Sequence, residues 1–353
     1  MEGIDTVEMR TRCKIVEAIR KTNHYGKHVL AMDDYEGHEE VQALMDIAAY
    51  LEPIWASGAL NFLQGKVMGS IFFQPSTRTR LGTTISMLKL GGKVMADPTP
   101  LVTSRLASGA SLEDELKTWS TYVDILSIRH TDAEVALEAI KSGATVPVIS
   151  GGLGNYEHPV AGYTDMFTTF MTLGRLNNLN ILILGADHVN SRVGHSYALG
   201  MAKFPGNKIV LACDKNYPDP PDVIERLKER KVDFEEVLTP SHDDVYELMR
   251  NADICNLSAL VCCVPEEPPE AKKAFLDKFG IGSPYYITVE MMEKIKKDTG
   301  KTVGIMHPFP RYPLMEMDHS LDTTEFALYW KQMEYAQPAR MAMILSQLYA
   351  TQD

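Results

Sequence analysis

Six short runs of this chain, residues 67–73, 124–128, 146–150, 181–184, 208–213 and 302–306, are apolar on both faces. A strand with one wet face alternates apolar and polar residues. A strand apolar throughout has to be covered on both sides, which is the condition of a parallel strand under helices. Helical spacing fills the gaps between runs, as at 77–90, 112–122, 221–230 and 243–251. The alternation predicts an α/β fold of two doubly wound parallel-sheet domains linked by helices. A length of 353 residues leaves room for two such domains.

The expected boundary lies at 169–180, where a helical stretch after His158 gives way to a polar segment ending in Asn177-Asn178-Leu179-Asn180. The implied division is an N-terminal extension at 1–27, a first domain at 28–170, a second at 171–323, and a C-terminal helix at 324–353 that returns to the first. Residues 324–349 read as one long helix interrupted at Gln337-Pro338, and 1–27 as an appended helix.

Charge and cysteine usage narrow the function classes. A net charge of −12 disfavours a dedicated nucleic-acid binder, because phosphate binding by charge needs a basic surface. The cysteines Cys13, Cys213, Cys255, Cys262 and Cys263 form no CxxC pair, which argues against a zinc cage or a disulfide framework. Reduced thiols in a cytoplasmic protein are expected. No apolar leader or 18-residue apolar run is found, so neither a signal peptide nor a membrane span is expected.

Ligands of open α/β sheets bind beyond the carboxyl ends of the strands, so the residues just after each run carry the candidate chemistry. After Phe73 come Gln74-Pro75-Ser76-Thr77-Arg78-Thr79-Arg80 and then a helix. Hydroxyls, guanidiniums and the free N–H groups of a helix start favour a phosphate there. A plain capping box with surface arginines is the other reading of the same residues. After Ile128 come Arg129 and His130; after Ser150 a glycine loop leads to His158-Pro159, with Pro opening a helix. A lone histidine is often structural, but one at a strand's carboxyl end faces the same crevice. Farther on, Gly185-Ala186-Asp187-His188 and Arg192 come after one run, and His307-Pro308-Phe309-Pro310-Arg311 after another. Arg192 alone reads equally as a surface ion pair. Neither GxGxxG nor GxxxxGK[ST] is present, so dinucleotide binding and P-loop hydrolysis are disfavoured. Glu266-Glu267 and Lys272-Lys273 read as solvated charges, and 341–343 as core.

Taken together, Phe72 to Arg80 with Met87-Leu88-Lys89-Leu90-Gly91-Gly92, Arg129-His130, His158-Pro159, Thr164 to Thr168, His307 to Arg311 and Ala339-Arg340 resemble the aspartate/ornithine carbamoyltransferase family. The likeness runs over about residues 28–350. It is nearer the aspartate branch, because ornithine enzymes carry Cys where this chain has Pro308. The resemblance implies a carbamoyl-phosphate domain at 28–170 and an acceptor domain at 171–323. It also implies a homotrimer with shared active sites, no cofactor, no metal, no nucleic acid and no membrane. By it, Ser76, Thr77, Arg78, Thr79 and Arg129 hold the phosphate. Thr79, Arg129 and His158 polarise the carbamoyl oxygen, Arg192 reads the acceptor, and the Pro308 and Phe309 carbonyls orient the amine. The implied reaction is carbamoyl transfer to L-aspartate in pyrimidine biosynthesis.

Four positions depart from the aspartate enzymes. A loop lent by the neighbouring subunit carries Lys where this chain reads Leu106-Ala107-Ser108-Gly109, so Ser108 stands in its place, with Arg105 available under a three-residue shift. His-Pro-Thr-Gln becomes His158-Pro159-Val160-Ala161, and a Lys three residues before Arg192 becomes Val189. The acceptor loop, Asn256-Leu257-Ser258-Ala259-Leu260-Val261, lacks the family's Arg and Gln. These changes open two other readings: the same transfer to a different, less anionic amine, and a non-catalytic paralogue that binds carbamoyl phosphate or a partner.

Overall fold

A computed structural model describes residues 2–57, 60–258, 269–311 and 315–351. Its chain divides into two compact units, one made of residues 1–167 with 335–353 and the other of 168–334.

The first unit holds β1 (Val67–Phe72), β2 (Lys93–Asp97), β3 (Ile125–His130) and β4 (Val148–Leu153) in a parallel sheet ordered β2-β1-β3-β4. Ile71, Leu126, Ile128, Val148 and Leu153 are buried under Leu116, Ala136 and Ile140 of the flanking helices. Each large apolar side chain among them contributes about 1.5–3 kcal/mol by leaving water. Asp124 pins the start of the sheet: its carboxylate accepts from the Val67 N–H at 2.8 Å and from Lys66 Nζ at 2.8 Å. The helices begin at good caps, Ser111 Oγ accepting from Asp114 N and Asp132 from Val135 N.

The second unit holds β5 (Asn180–Leu184), β6 (Lys208–Cys213), β7 (Asp233–Leu238), β8 (Ile254–Leu257) and β9 (Gly304–Met306), parallel and ordered β7-β6-β5-β8-β9. Leu182, Leu184, Cys255, Leu257 and Ile305 pack with Val245, Met249, Met292 and Ile295. Asp253 repeats the pinning device, accepting from the Asn180 N–H at 2.8 Å. The fold is therefore the expected pair of doubly wound parallel sheets, and the described residues form nine strands against six apolar runs in the sequence.

Two helical expectations meet different outcomes. Residues 2–22 form a helix, and Ile15, Ala18 and Ile19 of it are buried. The expected break at Gln337-Pro338 is absent: Leu328–Leu348 is continuous with Pro338 inside it. Proline forfeits one intrahelical hydrogen bond, and the helix survives because residues 336 and 339–348 are almost all buried. Among the described residues, no helix is long and apolar enough to cross a membrane.

Candidate functional site

In the first unit, β1 runs to β2 on one side and β3 continues on the other, so the winding direction reverses between β1 and β3. A crevice opens at the carboxyl ends of strands at such a switch point. Register sets its contents. Phe72 at the end of β1 pairs with Arg129 of β3, and the Phe73 N–H donates to the Arg129 carbonyl at 2.9 Å. The Gln74–Arg80 segment therefore leaves β1 beside Arg129. A register shift between Ile128 and His130 turns the end of β3, where His130 meets Phe73 edge-on at 4.7 Å.

The helix Arg78–Lys89 begins in this crevice with Thr77 as N-cap, and among the described residues no side chain caps it. A helix start of this kind presents N–H groups that favour an anion. Thr79 and His158 are buried and meet, Thr79 Oγ1 lying 3.2 Å from His158 Nε2. His158 stands just before the helix Pro159–Leu173, and its carbonyl accepts from the N–H groups of Ala161 and Gly162. Arg129 is aimed by a hydrogen bond from Nη1 to the Gly151 carbonyl at 3.1 Å. Ser76 is half-buried, while Thr77 and Arg78 are exposed. A cavity of about 400 Å³ runs from Phe73, Ser76, Thr77 and Arg80 to the facing segment at 98–102. Arg105–Ser108 forms one short helical turn beyond that segment, and Ser108 is exposed. Ala161 is half-buried and Val160 fully buried, so Val160 serves packing.

In the second unit the winding reverses between β5 and β8. Arg192 opens the helix Arg192–Met201 after β5, half-buried, and burial lowers its pKa. Ser191 Oγ donates to Ser258 Oγ at 2.7 Å, which ties the start of that helix to the end of β8. Val189 is exposed. The acceptor-loop positions Ala259 and Val261 lie outside the described residues.

After β9, Pro308 and Phe309 are half-buried. Phe309 adopts φ 52°, a left-handed conformation costly for a bulky residue. It is held there by a hydrogen bond from its N–H to His307 Nδ1 at 3.0 Å and by stacking on Trp330 at 5.1 Å. His307 Nε2 lies 3.1 Å from the buried Glu316 carboxylate, and Arg311 makes a bidentate pair with Asp322 at 2.6 and 2.8 Å. This loop is rigidly braced, as an orienting backbone needs to be.

Sequence reasoning missed one buried group at this end of the second unit. His188 Nδ1 lies 2.8 Å from Asp219, whose other oxygen is 3.5 Å from His195 Nε2. Burial alone would lower His188, but the Asp219 carboxylate outweighs it and holds the imidazole up to about 10. His188, Cys213 and Asp219 bring ligand-type atoms within 4.8 Å of one another. The 2.8 Å contact makes His188 and Asp219 an ion pair beside the Cys213 thiol. No local motif signals a partnership between residues 31 positions apart.

Comparison with known proteins adds identity to this geometry. A family model described as "Aspartate/ornithine carbamoyltransferase, carbamoyl-P binding domain" matches residues 27–170, and one described as "Aspartate/ornithine carbamoyltransferase, Asp/Orn binding domain" matches residues 177–347. The chain is 33% identical to a ureidoglycine carbamoyltransferase of Rubrobacter xylanophilus, over 92% of this chain and 93% of that protein. It is 32% identical to an aspartate carbamoyltransferase catalytic subunit of Methanocaldococcus jannaschii, over 90% of this chain and 96% of that one. Among solved structures, aspartate transcarbamoylase of Trypanosoma cruzi in complex with carbamoyl phosphate superposes with a TM-score of 0.81 at 25% identity, covering 93% of this chain and 98% of that one.

Proposed function

This chain belongs to the aspartate/ornithine carbamoyltransferase family of enzymes, and we propose that it transfers the carbamoyl group of carbamoyl phosphate to the amine of a small amino acid other than aspartate. Ureidoglycine, named in one relative, is the acceptor we favour. The observation that carries the reading is the contrast between the two switch points. The first unit keeps Ser76, Thr77, Arg78, Thr79, Arg129 and His158 of the family's phosphate and oxyanion motifs, with departures at Ser108 and Ala161. The second has Arg192 but Val189 where the aspartate enzymes carry Lys. One guanidinium matches one carboxylate bidentately; aspartate brings two, ureidoglycine one and a neutral urea.

In this reading the domains at 28–170 and 171–323 take carbamoyl phosphate and the amine, and the helix at 324–353 belongs with the first. The amine nitrogen attacks the carbamoyl carbon, the bond from that carbon to the phosphate oxygen breaks, and the departing phosphate takes the amine's proton. Thr79, Arg129 and His158 stabilise the negative charge that develops on the carbamoyl oxygen. The carbonyls of Pro308 and Phe309 orient the nucleophile. A homotrimer in the cytoplasm completes the proposal, with Arg105 and Ser108 lent to a neighbour's site. An exposed apolar stripe on the Arg78–Lys89 helix, Leu81, Ile85 and Leu88, supports a subunit interface on the first unit.

The test is ureido-product formation from carbamoyl phosphate with a panel of amines that includes ureidoglycine and L-aspartate. Product with ureidoglycine and not with aspartate is expected, and Arg78→Ala is expected to lower kcat/KM about 100-fold or more. Turnover of aspartate alone would establish the second reading, which the His307–Arg311 motif and the M. jannaschii relative favour. Binding without product on any amine would sink both and leave the non-catalytic reading.

A further inference from the structure

Two motif residues, Asp165 and Arg340, have no part in the proposed reaction, and both are buried in the first unit. Arg340 lies flat against the Arg78–Lys89 helix. A Cβ built on Gly82 would stand 2.9 Å from its Cζ and Nε and 3.0 Å from Nη1, so a larger residue there would displace the guanidinium. Gly82 is one turn beyond Arg78, on the same helix face. The guanidinium donates from Nη1 to the Ala336 carbonyl at 2.9 Å, and its buried Nε has no hydrogen-bond partner among the described residues. The negative charge of Asp165, on the helix that His158 precedes, opposes the effect of burial on this cation.

We propose that Arg340, packed against Gly82, is a positioning residue of the phosphate site: a fixed cation beneath the Arg78–Lys89 helix that sets the affinity for the phosphoryl dianion through Arg78. The proposal rests on the carbamoyl-phosphate reading of the first unit. The physical reason is repulsion that the ligand removes. A buried guanidinium packed one helical turn from Arg78 opposes that exposed one, and solvent screens the repulsion only in part. A dianion at the helix start turns that cost into attraction to both. Burial pushes Arg340 down to about 10, with Asp165 opposing and Arg78 adding to the shift, so it remains a cation at neutral pH. A purely structural buried ion is usually replaceable by apolar residues without loss. Here the unpartnered Nε and the glycine cradle indicate a charge retained for a ligand.

The experiment measures the dissociation constant of inorganic phosphate by calorimetry, together with KM for carbamoyl phosphate and for the amine. It compares the full-length protein with Arg340→Lys, Arg340→Met, the double variant Arg340→Met/Asp165→Asn, and Gly82→Ala. The double variant removes both charges, so it folds if the pair is only structural. Gly82→Ala displaces the guanidinium without deleting it and serves if Arg340→Met does not fold. The expected result is a rise of about tenfold in the phosphate Kd and carbamoyl-phosphate KM for Arg340→Met and for the double variant. The amine KM should stay unchanged, and Arg340→Lys should recover most of the loss. Folded variants with phosphate Kd within about twofold of the parent would overturn the proposal. A parent protein that neither binds phosphate nor turns over carbamoyl phosphate would instead overturn the carbamoyl-phosphate reading on which it rests.

Discussion

Asp219 and His188 face each other at 2.8 Å, both shielded from water, and their titration gives the second unit a pH signature. The folded pKa of His188, about 10, exceeds its ordinary 6.5, so its contribution is full below 6.5 and fades as pH rises through 10. Asp219 is driven the other way, below its ordinary 3.8: burial raises it, but His188 lowers it more. Its contribution is present above 3.8 and lost in stronger acid. The pair therefore stabilises most in mildly acidic solution. Asp219→Asn should cost about 3 kcal/mol there, since it strands a buried imidazolium. Urea unfolding at about pH 5.5 and about pH 9.5 checks this, and the deficit should shrink at the higher pH. The same pair marks where residue-level reading ends. Ser76–Arg80, Arg129 and His158 are legible in the sequence because each lies close behind an apolar run, and strand register brings the run ends together. His188–Asp219 and Arg340–Gly82 join residues far apart in sequence, with nothing local to announce them.

The three strands that the apolar runs do not reveal are hidden for two reasons. β2 and β7 are sheet edges with burial on few positions, so Lys93–Asp97 and Asp233–Leu238 carry charges that break an apolar run. β8 is central and buried but only four residues long, with Asn256 in it, and it does not stand out from its surroundings. Longer, apolar strands overlap their runs, to the residue for Lys208–Cys213 and with offset ends for Ile125–His130 and Val148–Leu153. The helices are legible from spacing and caps. Their contacts are not, and one of them is severe. A Cβ on Gly143, at the end of the helix Ala133–Gly143, would stand 2.4 Å from the Glu113 carbonyl oxygen of the helix Leu112–Ser120. Backbone cannot step aside as a side chain can, so Gly143→Ala should destabilise the first unit by about 1–3 kcal/mol. Chemical denaturation should show it as a lower midpoint with an unchanged slope.

At the scale of the whole molecule, the proposed assembly links the exposed stripe to activity. Leu81, Ile85 and Leu88 present apolar surface on the helix Arg78–Lys89, whose start is the proposed phosphate site. Sedimentation of the protein should give three times the mass of one chain, and Ile85→Asp should give single chains with much reduced turnover. A monomeric parent with full activity would remove the shared-site part of the proposal. Fold class is legible from the order of the apolar runs, and the family from the resemblance carried by motifs such as Phe72–Arg80 and His307–Arg311. The acceptor half of the site is not, because identity there depends on residues that differ from the family's own.

The first unit is built from both ends of the chain, and this orders events in time. Gln347 donates from Nε2 to the carbonyl of Val148 at 3.1 Å, across 199 residues, and its own carbonyl accepts from the Gly26 N–H at 3.0 Å. Tyr35 meets Ser346 at 2.6 Å in the same way. A ribosome adding about 5–20 residues per second makes Gln347 roughly 10–40 s after Val148. During that interval the segment 168–334 emerges whole, while the sheet made before it still waits for its last helix. The half synthesised first is the half completed last: Val29 already covers the Val148 edge, and a nascent chain spends that time without the Gln347 side chain that joins them there.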